Sequence, residues 1–573
     1  MHHAGWARAE IAVEPDGYAM FGYGMWHHRA LGKQTPLFAR AFCISDGPRR
    51  LIFCCADLGS ISYAVRAGVC EVLRERLGAE FDDASLVLAC THTHSGPGGC
   101  SHEALYNVVT PGFVTPHFLA VVRAIGDAIL GAWRNVAAAE LKLYQAAFDD
   151  QVPVAWNRSL RAYNRNPDVV QRSETERHLA VNRTMHVLGF HRDGRVQALL
   201  SLFGVHATCI GNALEKYDGD NKGYAAAHAE QMLRDAGAAD PVAIFAQATA
   251  GDISPHFHGP GDWERRKAIT GAAEYQYAER NGRAQSERAL SMLAAQPGEP
   301  VDGPLDAIFS YVDFSAITAE PRFANGNDDA RTSEPCHGVS FFAGTPVDGR
   351  GMSPAVAMLA RAIAGFLKRR RLARLERLPT ADRDYYRRVY AAQGPKAILL
   401  EAGRKMILGQ RLGALALPDF VDPTIAELKR QARIGALEES PLVPTLLPLQ
   451  IVCVGGLAIV CCPGEFTTTA GARLIQSVAE VLQSRGTRQA LICTYANDYM
   501  GYVTTNEEYQ EQCYEGGHTI FGQWTLAAFQ TRLTMLAREL LKPDGERRHD
   551  RTTRPPRIPP EELAKRSDLP LPA

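Results

Sequence analysis

The stretch SLVLACTHTHSGPGG, residues 85–99, joins a run of mostly apolar residues to a polar, glycine-rich turn. Residues 85–89 are predicted to form a buried strand, and the Gly-Pro-Gly-Gly at 96–99 ends it. Since residues i and i+2 of a strand face the same side, His92 and His94 are predicted to point into one crevice. Such a pair suits one metal ligand and one neighbour that handles a proton or binds an oxyanion. Two hydrogen-bonded loop histidines would give the same short pattern.

The residues before this stretch extend it into a β-α-β unit. Residues 51–56 (LIFCCA) predict a strand, and residues 61–77 have the apolar spacing of a helix. A unit of this kind is parallel and right-handed, and ligands of such sheets gather at the carboxyl ends of the strands. The loop at 57–59 is therefore expected to face the same crevice as the two histidines. We predict the α/β class, with a large mixed sheet and an active site at the strand ends.

Further predicted strands also end in polar, glycine-flanked motifs. These strands cover residues 196–205, 242–246, the hairpin from 446 and residues 490–495. The side chains that follow them are His206, Ser254, Glu465 and Tyr502. Two neutral imidazoles and a carboxylate are a common ligand set for catalytic zinc, whereas tyrosine is rarer because its hydroxyl must lose or share a proton. Taken alone, the segment around Ser254 and the glycine-spaced loop at 20–25 (MFGYGM) indicate only turns.

Composition limits the classes of partner. The 573 residues are 46% hydrophobic and 22% charged, with a net charge of -1, so no global field attracts nucleic acid or a charged membrane. The 13 cysteines include no C-x-x-C pair, and several lie in apolar runs, where they act as small core residues. The N-terminus lacks a secretory signal, and the apolar stretch 446–462 is interrupted by proline and paired glycines. We predict a cytoplasmic protein without a transmembrane segment.

Two charged segments have less specific patterns. Residues 354–378 predict an amphipathic helix that ends in Lys368-Arg369-Arg370-Arg371. Such a run is usually a solvated face that complements the helix dipole, and a peripheral contact with anionic lipid is the alternative. The Pro- and Arg-rich residues from 543 onward predict a flexible tail. The expected division is a catalytic domain over residues 1–542 and a tail over 543–573.

Eight segments in chain order carry a resemblance to a known family. They are HTHSGPGG (92–99), NRS (157–159), DNKGYA (220–225), GDISP (251–255), GVSFFAG (338–344), residues 393–400, PGEFTTTAGAR (463–473) and residues 501–516. Together they resemble the neutral, non-lysosomal ceramidases over most of the chain. The resemblance implies an amidohydrolase that cleaves the N-acyl bond of ceramide into sphingosine and a fatty acid.

The resemblance also implies roles for individual residues. One zinc ion would be held by His92, His206, Glu465 and Tyr502. Three further residues would line the active site, namely His94, Arg158 and Tyr514. Ser254 would be a nucleophile or another essential residue of the site.

Both mechanisms that this set allows stay open. Zinc acidifies a bound water to a pKa of ~7 and polarises the amide carbonyl, while His94, Arg158 and Tyr514 stabilise the oxyanion or protonate the leaving amine. A serine route needs a base beside Ser254, for which His256 or a zinc-bound hydroxide is available. We favour attack by zinc-bound water, with Ser254 positioning the substrate or that water.

The resemblance leaves the substrate open. The family's secreted members carry a C-terminal immunoglobulin-like domain, and the tail here is too short for a sandwich of ~100 residues, so only the catalytic domain is expected. His256 also stands where the family has asparagine. One alternative is a zinc amidase or esterase of the same superfamily that acts on a soluble N-acyl compound. A non-catalytic binding scaffold is the other.

Overall fold

A β-α-β unit leads the chain to the histidine-rich loop, as predicted. In the computed structural model, the strands Arg50–Ala56 and Leu86–Cys90 pair in parallel through the helix Tyr63–Leu77. Ser62 caps the helix by accepting a hydrogen bond from the backbone N–H of Val65. Because the strands are parallel, their carboxyl ends lie at the same edge of the sheet.

The structure describes residues 2–110, 112–256, 268–345, 347–416, 418–419 and 423–566. The end of the predicted tail, residues 567–573, lies outside the described residues. Among the described residues, no helix combines the length and the apolar composition needed to cross a bilayer.

The predicted mixed sheet is confirmed and contains nine strands within the described ranges. Its two outer pairs are parallel and the pairs between them are antiparallel. In spatial order the strands are Val242–Ala246, Arg195–Leu202, Thr184–Arg192, Ala137–Ala147, His2–Glu10, Phe38–Ser45, Arg50–Ala56 and Leu86–Cys90, with Glu299–Pro300 paired to Ala137–Ala147.

A second sheet faces this large sheet. The predicted hairpin from residue 446 forms its centre, and the four strands are Leu305–Asp313, Leu446–Val454, Leu457–Cys461 and Gln489–Cys493. Side chains such as Phe42 and Phe53 of the large sheet pack with Val452 and Ile459 of this second sheet. The sequence indicates these strands but not that they form a separate sheet.

Helices cover the outer faces of both sheets, so the molecule has the layer order α-β-β-α. The helices Tyr63–Leu77 and Thr115–Arg134 cover the half of the large sheet that ends in the strand Leu86–Cys90, and Asp220–Asp235 and Ala272–Ala295 cover the other half. Two helices cover the second sheet, Thr468–Leu482 and Thr525–Leu540.

The remaining elements are shorter or peripheral. A small third sheet consists of Cys336–Gly338, Ile398–Glu401, Met406–Ile407 and Gln410–Arg411. The other helices are Leu160–Tyr163, Val339–Phe342, Pro354–Ala373, Thr380–Gln393, Pro423–Arg433, Asn506–Gln510, Tyr514–His518 and Pro560–Arg566. Two-residue strands pair as Gly32–Lys33 with Lys216–Tyr217, Trp156–Asn157 with Ile253–Ser254, Gly344–Thr345 with Gly349–Arg350, and Glu465–Phe466 with Tyr502–Val503.

The segment 543–566, predicted as part of a flexible tail, makes specific contacts with the rest of the chain. Arg547 forms an ion pair with the carboxylate of Asp306 at 2.6 Å. Ile558 and Leu563 are buried in a cluster that also contains Phe113. These apolar and charged contacts hold the segment against the two-sheet body, and the domain boundary at residue 543 stays a prediction.

Candidate functional site

Three short backbone pairings bring the predicted site residues together. Glu465 and Tyr502 are direct register partners in a two-residue parallel pair. Ser254 lies in an antiparallel pair with Trp156–Asn157, the residues before Arg158. A parallel bridge joins Thr93, which lies between the two predicted site histidines, to Ala207. These pairings bring together loops that follow the ends of strands.

The two histidines of the HTH motif converge, but not through the alternation of a strand. The strand ends at Cys90, and His92 has a φ of 63°, so the predicted geometric reason is wrong. The left-handed conformation of His92 instead turns its ring toward His94, and the two Nε2 atoms lie 3.1 Å apart. Nδ1 of His92 lies 2.5 Å from the carbonyl oxygen of Gly59, which confirms that the loop at 57–59 shares the crevice.

His206 joins the same cluster with a matching hydrogen bond. Its Nδ1 lies 2.9 Å from the carbonyl oxygen of Ile253, and its Nε2 lies 3.0 Å from Oε2 of Glu465. A carbonyl accepts hydrogen bonds only, so Nδ1 of both His92 and His206 carries the proton. The Nε2 lone pairs of both rings consequently face the centre of the cluster, which is the tautomer that a metal ligand requires.

Burial keeps the imidazoles of His92 and His94 neutral. It lowers the pKa of His92 to about 4, and it lowers the pKa of His94 well below its ordinary value. Both rings are therefore neutral near neutral pH, and each has one nitrogen lone pair available.

Glu465 is held in its ionised form by its neighbours. Burial on its own would raise the pKa of Glu465. Its contacts with His92, His206 and the hydroxyl of Tyr499 have the larger opposite effect, and the pKa lies well below the ordinary value. The hydroxyl of Tyr495 donates to Oε2 at 3.0 Å and that of Tyr499 donates to Oε1 at 2.5 Å. Neither tyrosine was among the predicted site residues, although both stand in the stretch that precedes Tyr502.

Tyr502 lies between the histidine cluster and Arg158. Its hydroxyl oxygen lies 3.4 Å from Nε2 of His206 and accepts a hydrogen bond of 3.0 Å from Nη2 of Arg158. Burial raises the pKa of Tyr502 well above its ordinary value. Cations beside the oxygen favour the phenolate, and the Arg158 guanidinium already supplies one.

The donor set fits a divalent metal. One ring nitrogen from each of His92, His94 and His206 lies within 4.8 Å of the others, and all three rings are buried. Glu465 adds a carboxylate and Tyr502 a hydroxyl. Three imidazoles with oxygen ligands suit zinc and its neighbours in the first transition row. The structure places His94 in the histidine group that could hold a metal, although the resemblance gives it an acid–base or oxyanion role.

The glycine-spaced loop at 20–25 is a wall of this site rather than only a turn. Gly22 has a φ of 120°, and a Cβ built on it would lie 2.4 Å from Cγ of His94. The ring of Tyr23 meets that of His94 edge to face, with centroids 4.6 Å apart. Glycine is required at position 22 because the imidazole of His94 occupies the space of a side chain.

Ser254 lies beside a carboxylate that the sequence analysis missed. Its Oγ donates a hydrogen bond of 2.9 Å to Oδ1 of Asp348. Nη1 of Arg158 forms an ion pair with Oδ2 of the same aspartate at 2.9 Å, and Nε of Arg158 pairs with Glu515 at 2.9 Å. Asp348 follows the GVSFFAG segment by four residues, and an isolated aspartate in a glycine-containing turn carries no signal in a single sequence.

The ring of His256, which was considered as a base for Ser254, contacts a different group. Its Nε2 lies 2.8 Å from the carbonyl oxygen of Thr208 and is therefore the protonated nitrogen. The contact between His256 and Ser254 is instead a backbone N–H donated to Oγ at 3.3 Å. Among the described residues, the carboxylate of Asp348 accepts the hydrogen bond of the serine hydroxyl.

Tyr514 completes the predicted set at the rim. It is the first residue of the helix Tyr514–His518. Its ring meets that of Tyr502 edge to face, with the ring centroids 5.3 Å apart. The Arg158 guanidinium lies 5.5 Å from the centroid of the Tyr514 ring. Burial raises the pKa of Tyr514, so its hydroxyl stays protonated and can donate a hydrogen bond. The structure thus brings all eight predicted residues into one region.

Known proteins resemble this chain in sequence and in fold. A sequence model of the family described as "Neutral/alkaline non-lysosomal ceramidase, N-terminal" matches residues 2–411 and 429–531. The neutral ceramidase of Pseudomonas aeruginosa is 31% identical over 540 residues, which cover 92% of this chain and 70% of that protein. The neutral ceramidase of Mycobacterium tuberculosis is 31% identical over 543 residues, covering 92% of this chain and 75% of that protein.

The structural likeness extends over the same length. A solved structure described as "Ceramidase complexed with C2" superposes with a TM-score of 0.76 at 30% identity, covering 94% of this chain and 75% of that one. The crystal structure of neutral ceramidase from Pseudomonas aeruginosa superposes with a TM-score of 0.72 at 29% identity, covering 94% of this chain and 74% of that one. With sequence and fold in agreement over nearly its whole length, the chain belongs to the neutral/alkaline, non-lysosomal ceramidase family.

Proposed function

We propose that this protein hydrolyses the N-acyl amide bond of ceramide, releasing sphingosine and a fatty acid, and that it needs one divalent metal, with zinc as the best match. The observation that carries the proposal is the convergence of His92, His206, Glu465 and Tyr502 beside Ser254. Membership of the ceramidase family supports the substrate class.

The metal would be held by His92, His206, Glu465 and Tyr502, with His94 as a further imidazole at the same point. When bound, zinc supplies a Lewis acid for the amide carbonyl and lowers the pKa of a water ligand to ~7. The protein's own contribution is to hold these donors in the required protonation states. The backbone carbonyls of Gly59 and Ile253 fix the tautomers of His92 and His206.

Arg158 sets the electrostatics of the reaction region. Its guanidinium is fixed by Asp348 on one side and by Glu515 on the other, so it cannot turn away from the hydroxyl of Tyr502. A fixed cation and the protonated hydroxyl of Tyr514 are suited to stabilise negative charge on the amide oxygen as it becomes tetrahedral. His94 is neutral and lies beside the same region, so its ring can form a hydrogen bond with the reacting groups.

The surroundings of Ser254 favour a positioning role over a nucleophilic one. Asp348 accepts the hydrogen bond from the serine hydroxyl. Burial on its own would raise the pKa of Asp348. The nearby Arg158, His256 and His206 have the larger opposite effect, so the pKa is below its ordinary value. A carboxylate with a lowered pKa is a weak base, whereas a serine nucleophile needs a base that takes its proton near neutral pH. Attack on the amide by water, with Ser254 orienting the substrate, fits this geometry better.

The test is fatty-acid release from a short-chain ceramide dispersed in detergent. Protein purified with zinc is compared with chelated protein and with chelated protein to which zinc is returned. We expect release that chelation abolishes and zinc restores. The same assay with a soluble N-acyl amino acid tests the alternative substrate class.

Variants separate the site from general damage. His92→Ala should lose both bound zinc and activity, whereas His3→Ala, an exposed histidine on the first strand, should keep both. Protein that holds zinc but releases no fatty acid from ceramide would refute the proposed substrate. Activity that persists without any metal would refute the metal requirement.

A further inference from the structure

The helix Pro354–Ala373 presents an apolar face to solvent. Its inner side is made of small residues, because Ala357, Ala360 and Ala364 are its buried positions. Its outer side carries large apolar residues instead. Val356, Leu359, Ile363 and Phe366 are 51%, 61%, 37% and 55% exposed.

These four side chains form one continuous stripe, hereafter the docking face. Their spacing of i, i+3, i+7 and i+10 places them along one side of a helix. Met358 and Leu372 of the same helix are also exposed, so it carries six of the thirteen large exposed hydrophobic residues found in the described part of the chain. A concentration of this kind on a soluble surface marks a site of interaction with an apolar partner.

Basic side chains accompany the docking face. Among the described residues, none forms an ion pair with the guanidinium of Arg361, Arg369, Arg370 or Arg374. Two other cations of the same basic run are used within the protein: Lys368 donates to the carbonyl of Gly394, and Arg371 forms an ion pair with Glu401. The free guanidiniums therefore form a positive region next to an apolar stripe.

The helix is joined directly to the candidate active site. Asp348, which contacts Ser254, stands six residues before Pro354. Between them, the backbone N–H groups of Gly351 and Met352 donate to the carbonyls of Ala343 and Phe342 at 3.0 and 2.7 Å. This short hairpin fixes the start of the helix near the residues that would meet the substrate.

We propose that the docking face lies in the interface of a membrane that contains anionic lipid, with the free arginines contacting the headgroups. The inference rests on the proposed function, because a two-chain lipid amide resides in a bilayer and the enzyme must meet it there. An amphipathic helix with an apolar stripe and flanking cations binds such an interface through both apolar burial and charge attraction. The active site would then open beside the lipid surface.

Vesicle sedimentation tests the proposal with the full-length protein. Binding is measured on vesicles of phosphatidylcholine alone and on vesicles with added phosphatidylserine. Leu359→Ser with Phe366→Ser should weaken partitioning by at least about 10-fold, since two side chains no longer enter the apolar layer. Arg369→Ala with Arg370→Ala should weaken it by about 25-fold on the anionic vesicles only.

Matched controls use exposed residues of the same type elsewhere. Leu119→Ser with Val170→Ser removes two exposed apolar side chains, and Arg76→Ala with Arg195→Ala removes two exposed cations. Both controls should bind vesicles as the unchanged protein does. All variants should also release fatty acid from dispersed short-chain ceramide at the unchanged rate, because the docking face is not part of the reaction region.

The outcomes distinguish this inference from the proposed function. No vesicle binding by the unchanged protein, or equal binding by the Leu359/Phe366 variant, overturns the docking proposal even if dispersed ceramide is hydrolysed. Self-association that the same variant abolishes would make the face an interface between two copies and would also overturn it. Vesicle binding without hydrolysis of dispersed ceramide would refute the proposed function and leave the docking surface supported.

Discussion

Ser254 and Asp348 form a hydrogen bond of 2.9 Å between the serine Oγ and one carboxylate oxygen, although 94 residues separate them in the chain. The second carboxylate oxygen of Asp348 is paired with Arg158. Asp348 therefore links the serine to the guanidinium that contacts Tyr502. It acts through these two residues, which makes it a positioning residue.

Asp348→Asn should lower kcat on a short-chain ceramide by on the order of 10²-fold, because small misplacements of reacting groups cost about that much. The amide cannot hold both the serine hydroxyl and the guanidinium in their present orientation. Zinc content should stay unchanged, since Asp348 is not among the proposed ligands. A variant that lost zinc together with activity would contradict a positioning role, and Asp328→Asn in an exposed loop serves as the control.

Tyr499→Phe should weaken zinc binding by roughly 10- to 100-fold, the usual cost of removing a hydrogen bond to a metal ligand. The hydroxyl of Tyr499 donates to Oε1 of Glu465, and without it the carboxylate is less firmly oriented. Affinity is measured by competition with a chelator of known strength. Tyr386→Phe, in a separate aromatic cluster, should bind zinc as the unchanged protein does. Equal affinity in both variants would refute the orienting role of Tyr499.

Part of the site follows from local sequence signals. The β-α-β pattern correctly places His92 and the loop at 57–59 at one sheet edge, because both follow strands whose pairing is set by one connecting helix. The reason given for the convergence of His92 and His94 is nevertheless wrong. A positive φ at a non-glycine residue depends on tertiary contacts, which a pattern of alternating residues does not record.

Other features could not be predicted because they join distant segments. The strands of the hairpin from residue 446 have a clear apolar pattern, but that pattern does not say whether they extend the large sheet or form a second one. Asp348 is similar: its role depends on contacts with Ser254 and Arg158, and nothing in its own neighbourhood distinguishes it from a turn aspartate.

Asp306→Asn should destabilise the contact between the segment 543–566 and the second sheet by about 3 kcal/mol at neutral pH, because it removes the nearest carboxylate from the buried guanidinium of Arg547. The carboxylate of Asp306 is paired with Arg547 and Arg485, each at 2.6 Å. Burial raises the pKa of Asp306, but these arginines outweigh burial and lower it below its ordinary value.

The sign of the pH dependence follows from that lowered pKa. A carboxyl group whose pKa is lower in the folded state stabilises the fold above its ordinary pKa of ~3.9, and this stabilisation is lost as the pH falls through the folded value. The urea midpoint of the unchanged protein should therefore fall more steeply below about pH 4 than that of Asp306→Asn. Asp302→Asn, at an exposed aspartate nearby, should follow the unchanged protein at every pH. Parallel curves for the unchanged protein and Asp306→Asn would show that the ion pairs do not stabilise the fold.

Gly22→Ala should reduce activity by at least about 10²-fold, because the new Cβ would lie 2.4 Å from Cγ of His94 and must displace that ring. Gly24→Ala is a close control: Gly24 also has a positive φ, of 63°, but a Cβ added there would have no atom within 4 Å. Both substitutions place alanine at a positive φ, which is more strained at 120° than at 63°, and only the first brings a Cβ against His94. Activity on short-chain ceramide and thermal unfolding of both variants give the comparison. Equal activity losses would mean that loop strain, and not the displacement of His94, causes the effect.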